Sequence, residues 1–266
     1  MSMHTPFAFA GLERYQRLVE ERLKTLGIPA AQHEAYLRQK NIYASILYTD
    51  DALRRFFTRV AEQPAWRNTV FVVTGDHRLP EIEMASRLER YHVPLIVYSP
   101  MLHAPMRIKA LSSHFDVAPS LVAMLSHRYG WATPQRVHWM GAGLDVHTQW
   151  RNLHTLPLKQ TKTELSDYIS GEYYLAQDRL MSLQDALVAE PEDNPAVLQA
   201  MHADDLEAVL AIEFGVHGTL DHTHSQWASF HDGFRPLHYG VFELIKRHHL
   251  IDHSHFFRFF CGILIT

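Results

Sequence analysis

Cysteine is almost absent from this sequence, and so are long runs of basic residues. Cys261 is the single cysteine in 266 residues, which excludes an intrachain disulfide and a cysteine-rich zinc site. The formal net charge is -4, and without a long basic run the sequence predicts no nucleic-acid partner. Hydrophobic residues make up 47% of the chain and charged residues 20%, which favours a folded globular protein over a disordered one.

Long apolar runs are missing as well. The longest apolar stretches, residues 70–73 and 93–98, have the length of strands and are far too short to cross a bilayer. Residues 1–6, MSMHTP, lack the basic start and apolar centre of a secretory signal. The sequence therefore predicts neither a signal peptide nor a transmembrane segment within this chain.

The first half of the chain alternates helical and strand patterns. Helical spacing of apolar residues runs through residues 11–26 and 30–63. Residues 69–73 (TVFVV) and 94–98 (PLIVY) are continuous β-branched stretches, typical of strands buried on both faces of a parallel sheet. A further helix is predicted over 115–125. This order predicts an α/β fold with a mostly parallel sheet flanked by helices, and ligands at the carboxyl ends of its strands.

The second half has a different pattern. Short apolar stretches around Ser170 and Gly171 predict a hairpin in a small antiparallel layer. Asn194 and Pro195 are the cap and first residue of another predicted helix. We therefore divide the chain into an α/β part (1–150), a small antiparallel subdomain (151–193) and a helical, histidine-rich extension of open role (194–266).

Asp76 and His77 directly follow the first predicted strand, after Gly75. A carboxylate and an imidazole at that position can both face the crevice above a sheet. They offer the oxygen and nitrogen ligands that suit zinc or manganese. Taken alone, the dipeptide fits an ordinary polar turn better. A second acidic feature, the adjacent pair Asp50 and Asp51, is interpreted as part of the solvated face of a helix.

Three fragments in a fixed order change the interpretation of that loop. They are TVFVVTGDHR (69–78), HVPLIVYSP (92–100) and SSHFDVAPSLVAML (112–125). Their order resembles the C-terminal half of the sulfatase and lipoteichoic-acid-synthase domain of the alkaline phosphatase superfamily. In that family the Gly-Asp-His loop supplies two ligands to the catalytic metal. The resemblance therefore implies that Asp76 and His77 bind manganese or zinc, with magnesium as a further option, in an alkaline-phosphatase-like fold.

The resemblance extends at both ends and covers about residues 1–193. Residues 2–7 (SMHTPF) look like the family segment in which a histidine reaches the substrate phosphate, which implies that His4 binds substrate. A frayed terminus is the alternative. Residues 158–174 are similar to the C-terminal strands of proteobacterial members.

The chain also departs from the family. Its catalytic domain begins with a strand bearing an acidic metal ligand and continues to a threonine nucleophile, both well upstream of the segment that His4 matches. Only three residues precede His4 here. The resemblance thus implies an α/β domain without its N-terminal strands: a truncated, phosphoglycerol-type transferase domain that is inactive alone.

The partners implied by the resemblance are an anionic phospholipid-type substrate and an upstream polypeptide that carries the nucleophile and membrane helices. The family domain is extracytoplasmic and membrane-anchored. Two alternatives stay open for the function. One is a sulfuric or phosphoric ester hydrolase of the same superfamily, and the other is a non-catalytic remnant or partner subunit.

Three further residues lie close to the predicted site in the sequence. Arg78 can bind an anionic substrate or form a surface salt bridge. His92 and His114 stand just before the second strand and the following helix. Each is a candidate ligand or phosphate contact, or a local hydrogen-bonding residue.

Overall fold

The computed structural model describes residues 2–133, 141–159, 165–202 and 264–265. Within this part of the chain, residues 2–69 form one compact unit and a second unit begins at Val70. None of the described helices is long and apolar enough to cross a membrane.

The first unit is helical, as the apolar spacing predicts. It contains α1 (Leu12–Thr25), α2 (Ala30–Arg38) and α3 (Lys40–Val60), followed by a 3-10 helix at Pro64–Asn68. Tyr15, Val19 and Leu23 recur every fourth residue along α1, so they share one face. That face packs against Ala44 of α3, which is fully buried. Gly11 precedes α1 at φ 80°, a left-handed conformation that glycine adopts without a steric cost.

The second unit opens with two strands, β1 (Phe71–Thr74) and β2 (Val93–Tyr98). They pair antiparallel, with Phe71 opposite Tyr98 and Thr74 opposite Leu95. The α/β character of the fold is confirmed, but the predicted parallel pairing is wrong for these strands. The predicted burial on both faces is also wrong for β1, whose residues are half-buried or exposed. A β-branched stretch indicates a strand and carries no information about strand direction.

The connection between β1 and β2 explains the antiparallel pairing. Residues 75–92, all of them described, contain a single short 3-10 helix at Leu88–Tyr91 and no α-helix. A parallel return needs a crossover, which is usually an α-helix. As a result, the start of β2 lies beside the end of β1, where the predicted site is.

The predicted helix after β2 is present as α4 (Val117–Tyr129). A 3-10 turn at His114–Asp116 leads into it, and a capping box joins Ser113 and Asp116. The buried Asp116 carboxylate also accepts hydrogen bonds from the backbone N–H groups of Ala142 (2.9 Å) and Gly143 (3.0 Å). Val117 packs with Leu95 of β2, so α4 lies against the strands.

The predicted antiparallel layer is confirmed and is larger than expected. It is a five-stranded sheet in sequential order, with every pairing antiparallel. Its strands are β3 (Thr155–Lys159), β4 (Leu165–Ser170), β5 (Tyr173–Ala176), β6 (Arg179–Leu183) and β7 (Ala189–Pro191). The predicted hairpin joins β4 to β5, and Gly171 sits in its turn at φ 54°.

Two elements complete the described part of the chain. Asn194 caps a helix that starts at residue 195, accepting a hydrogen bond from the N–H of Val197 (3.2 Å) as the sequence predicts. Met201 of this helix packs on Tyr168 and Leu175 of the sheet. A two-residue strand, β8 (Leu264–Ile265), pairs antiparallel with the start of β2.

Candidate functional site

Asp76 and His77 lie in the loop directly after β1, at its carboxyl end. The Asp76 side chain is 92% exposed and that of His77 is 50% exposed, so both are open to a ligand. Oδ2 of Asp76 and Nε2 of His77 are 3.8 Å apart. The loop therefore presents one carboxylate oxygen and one imidazole nitrogen near each other.

Hydrogen bonds within the loop leave these two atoms available. The Nδ1 atom of His77 is 2.7 Å from the carbonyl oxygen of Arg78. A carbonyl can only accept, so Nδ1 carries a proton, and Nε2 of the neutral imidazole keeps a free lone pair. The other carboxylate oxygen of Asp76, Oδ1, accepts a hydrogen bond from the N–H of His77 (3.1 Å). Backbone groups thus orient both side chains.

This arrangement fits a divalent metal ion. Metal-binding histidines commonly donate their second ring N–H to a backbone carbonyl, and His77 does so here. Across the described ranges, however, no group of three or more His, Cys, Asp or Glu side chains is arranged to hold a metal ion. The described part of the chain thus offers a pair of ligand atoms rather than a filled coordination sphere.

Arg78 is bound to protein groups rather than open to an anion. Its guanidinium pairs with Glu89 and also donates to the carbonyl of Glu83 (3.3 Å). Its backbone N–H donates to the carbonyl of Arg90 (3.2 Å). Of the two roles the sequence left open, the salt bridge is the one present in the structure.

His114 contacts the same strand end. Its Nε2 atom is 2.9 Å from Oγ1 of Thr74, the last residue of β1. The Thr74 hydroxyl directs its own proton to the carbonyl of Gly75 (3.3 Å), so His114 donates to Thr74. His114 is exposed, and its partner Thr74 lies two positions before Asp76 in the sequence. It borders the loop but does not form a third ligand there.

His92 is held next to the loop by the antiparallel pairing of β1 and β2. It precedes Val93, the first residue of β2. Burial and the charge of Arg78 lower the pKa of His92 to about 4. The imidazole is therefore neutral at physiological pH and cannot serve as a cationic phosphate contact there.

His4 belongs to the first unit. Residues 4–7 form a turn in which the N–H of Phe7 donates to the carbonyl of His4 (2.7 Å). Phe7 is buried while His4 is exposed, with Nδ1 3.2 Å from the carbonyl of Thr5. Its contact with substrate stays a prediction.

Other features of interest were not predicted from the sequence. Glu89, the partner of Arg78, follows it by eleven positions across an irregular loop, so no periodic signal marks the pair. A cleft of about 350 Å³ lies between α1 and α3, with Arg14, Leu18, Leu47 and Arg54 among its lining residues. None of the predicted site residues lines this cleft.

Part of the chain matches a known protein family. Residues 1–127, somewhat less than half of the 266, match the sulfatase family model. No curated protein and no solved structure matches the chain. A divalent metal cofactor is in keeping with this family in general, while the finer resemblance to lipoteichoic acid synthases rests on sequence fragments alone. The matched segment, which includes Asp76 and His77, supports membership of the sulfatase-like alkaline phosphatase superfamily.

Proposed function

We propose that this chain supplies the Asp76–His77 part of a metal site in a phosphoglycerol-type transferase of the sulfatase-like superfamily. The observation that carries the proposal is the orientation of the two side chains. The Asp76 and His77 side chains are exposed, and Oδ2 of Asp76 lies 3.8 Å from Nε2 of His77. Backbone groups bind the other polar atom of each side chain, Oδ1 of Asp76 and Nδ1 of His77, and leave Oδ2 and Nε2 available.

The residues of the loop have separable roles in this proposal. Asp76 and His77 hold the cation, manganese or zinc, with magnesium as a further option. When bound, the cation supplies Lewis-acid polarisation of a phosphoryl or sulfuryl oxygen. His114 stands at the rim, where its Nε2 proton would turn from Thr74 to an oxygen of an anionic ester. His4 is proposed as a second contact to a phosphate oxygen, on the resemblance alone.

The proposed substrate is an anionic ester of the phospholipid type. The covalent step needs a nucleophile, and we propose that it comes from a partner polypeptide that also carries the membrane helices. Two protein ligands leave most of a cation's coordination positions open to water and substrate. The chain alone is therefore expected to bind metal weakly and to release no product at a measurable rate.

Hydrolysis of sulfuric or phosphoric esters is the second candidate. The family-model match favours it, because the matched family is that of the sulfatases. Both candidates use the same loop, and they differ in the anion that the metal-bearing site prefers. A third interpretation, a non-catalytic remnant or partner subunit, predicts no metal-dependent ligand binding.

Relaxation of the phosphorus nucleus of glycerol phosphate in the presence of Mn²⁺ tests the proposal. We expect the wild-type chain to enhance relaxation beyond that seen with free Mn²⁺, and Asp76→Ala to abolish the gain. His103→Ala is the matched control, because His103 is exposed and lies outside the loop. No gain that depends on Asp76 would contradict the proposed function.

Competition and turnover separate the remaining candidates. If inorganic sulfate displaces glycerol phosphate with the same affinity as inorganic phosphate, the result would favour ester hydrolysis over phosphoglycerol transfer. Release of nitrophenol from bis(4-nitrophenyl) phosphate or 4-nitrophenyl sulfate is expected to stay at background. Metal-dependent release that Asp76→Ala abolishes would show that the nucleophile lies within this chain.

A further inference from the structure

Arg78 is held by hydrogen bonds from its backbone N–H and from its guanidinium. Its N–H donates to the carbonyl of Arg90 (3.2 Å), and its guanidinium pairs with Glu89 and donates to the carbonyl of Glu83 (3.3 Å). Both side chains of the Arg78–Glu89 pair are about three-quarters buried, at 29% and 25% exposure. A pair shielded to this extent is less screened by solvent than a surface salt bridge.

The carbonyl of Arg78 is the group that orients His77. It accepts the proton of Nδ1 at 2.7 Å and thereby directs the Nε2 lone pair away from the backbone. The direction of this carbonyl depends on the conformation of Arg78. That conformation is held by the contacts of Arg78 with the segment around Glu89.

The segment that carries Glu89 is itself anchored. It is the 3-10 helix Leu88–Tyr91, and Leu88 is fully buried among Leu156, Leu158 and Ile169 of the five-stranded sheet. Arg87, just before it, lies 3.4 Å from the buried carboxylate of Asp167. Glu89 therefore approaches Arg78 from a packed element.

We propose that Glu89 is a positioning residue for the metal site: it holds Arg78 so that the Arg78 carbonyl keeps His77 in the Nδ1-protonated tautomer. The effect of Glu89 on metal affinity rests on the proposed function, whereas its effect on the His77 tautomer does not. Groups that orient a metal-binding histidine commonly change affinity about 10- to 100-fold when removed.

The variants are Glu89→Ala and Glu89→Gln in the full-length chain. The alanine removes both charge and hydrogen-bond acceptor, while the glutamine keeps an acceptor oxygen. Glu172→Ala is the control, because Glu172 is an exposed glutamate in the same unit, in the turn between β4 and β5. Circular dichroism and the thermal midpoint establish that each variant folds.

The first readout is the pair of ¹⁵N shifts of the His77 imidazole, assigned by comparison with His77→Gln. We expect the Nδ1-protonated tautomer in the wild type and in Glu172→Ala. Glu89→Ala is expected to give a mixture with the Nε2-protonated form, and Glu89→Gln a smaller change. A residue that only stabilises the fold would lower the thermal midpoint and leave this tautomer unchanged.

The second readout is Zn²⁺ affinity by competition with a chromophoric chelator. Glu89→Ala is expected to weaken the Asp76-dependent binding about 10-fold or more, with Glu89→Gln in between. Unchanged tautomer and unchanged affinity in a folded Glu89→Ala variant would overturn the proposal while leaving the proposed function intact. A tautomer change without any Asp76-dependent Zn²⁺ binding in the wild type would support the positioning role and overturn the proposed function.

Discussion

Asp51 joins two helices of the first unit through one buried carboxylate. The Tyr15 hydroxyl of α1 donates to Oδ2 (2.7 Å), and Arg54 and Arg55 of α3 pair with its two oxygens. Burial alone would raise the pKa of Asp51, but Arg54, Tyr15 and Arg55 together lower it. The carboxylate is therefore held ionised as part of the packing between α1 and α3.

Asp51→Ala should lower the free energy of unfolding of the chain by about 1–3 kcal/mol, because it leaves the buried Tyr15 hydroxyl without this acceptor. Urea denaturation followed by circular dichroism measures the change. Glu34→Ala, which breaks the exposed Glu34–Arg38 pair, is the control and should change stability by less than about 1 kcal/mol. Equal effects of the two substitutions would contradict this account of Asp51.

His92 gives a pH dependence with a definite sign. Its folded-state pKa of about 4 lies below the ordinary histidine pKa of 6.5, so the unfolded chain takes up this proton first as the pH falls. Its stabilising contribution is complete above pH 6.5 and is lost progressively towards pH 4. Unfolding experiments across this range should show a shallower loss of stability in His92→Gln than in the wild type. Parallel curves would show that His92 is not the group responsible.

The sequence predicted where residues lie along the secondary structure better than it predicted their burial and their contacts. Asp76 and His77 follow a strand, which local pattern can indicate. The interpretation of Asp51 as part of a solvated face was wrong, because its burial depends on Tyr15, 36 positions away. Contacts over that separation leave no local signal.

At the scale of elements, the start of α4 depends on a close backbone approach. A Cβ atom on Gly141 would lie 2.0 Å from the carbonyl oxygen of Phe115. The adjoining N–H groups of Ala142 and Gly143 bind the Asp116 carboxylate at that helix start. Space for a side chain is absent at this position.

Gly141→Ala should therefore destabilise the second unit by about 1–3 kcal/mol or more, because backbone must move to relieve the overlap. Gly75→Ala is the matched control, since its added Cβ would meet Val93 at an ordinary 3.4 Å and Gly75 has no positive φ. Urea denaturation compares the two variants. A Gly141→Ala protein as stable as Gly75→Ala would mean that residues 115 and 141 do not approach so closely.

The elements predicted correctly are those with local signals. The Gly171 hairpin, the Asn194 cap and the helix that begins near Asp116 each depend on a few neighbouring residues. Strand direction depends on the path of residues 75–92, which has no periodic pattern. The predicted parallel pairing failed for that reason, and the resulting approach of His92 to the loop could not be foreseen.

For the molecule as a whole, the superfamily suggested by the sequence is supported over residues 1–127, and the finer resemblance to lipoteichoic acid synthases stays a prediction. The family match over residues 1–127 covers the first unit and the beginning of the second. The structure separates its units near residue 70, whereas the boundaries at 150 and 193 stay predictions. Local patterns mark where elements begin and end, but which faces pack together is decided by contacts distant in sequence.

The central claim concerns one cation bound by Asp76 and His77. Residues 215–266 contain histidine pairs such as His248 and His249, and these lie outside the described residues. They can bind metal on their own. The total amount of metal bound is therefore uninformative. The relevant quantity is the difference in metal binding between variants that all retain residues 215–266.

The most direct measurement is the number of Zn²⁺ or Mn²⁺ ions bound per chain, by isothermal titration calorimetry, in wild type, Asp76→Ala, His77→Ala and the control His103→Ala. The account predicts one weak site that is present in the wild type and His103→Ala and missing from both loop variants, because two protein ligands bind far less tightly than three or four. The same number of ions with the same affinity in all four proteins would contradict it.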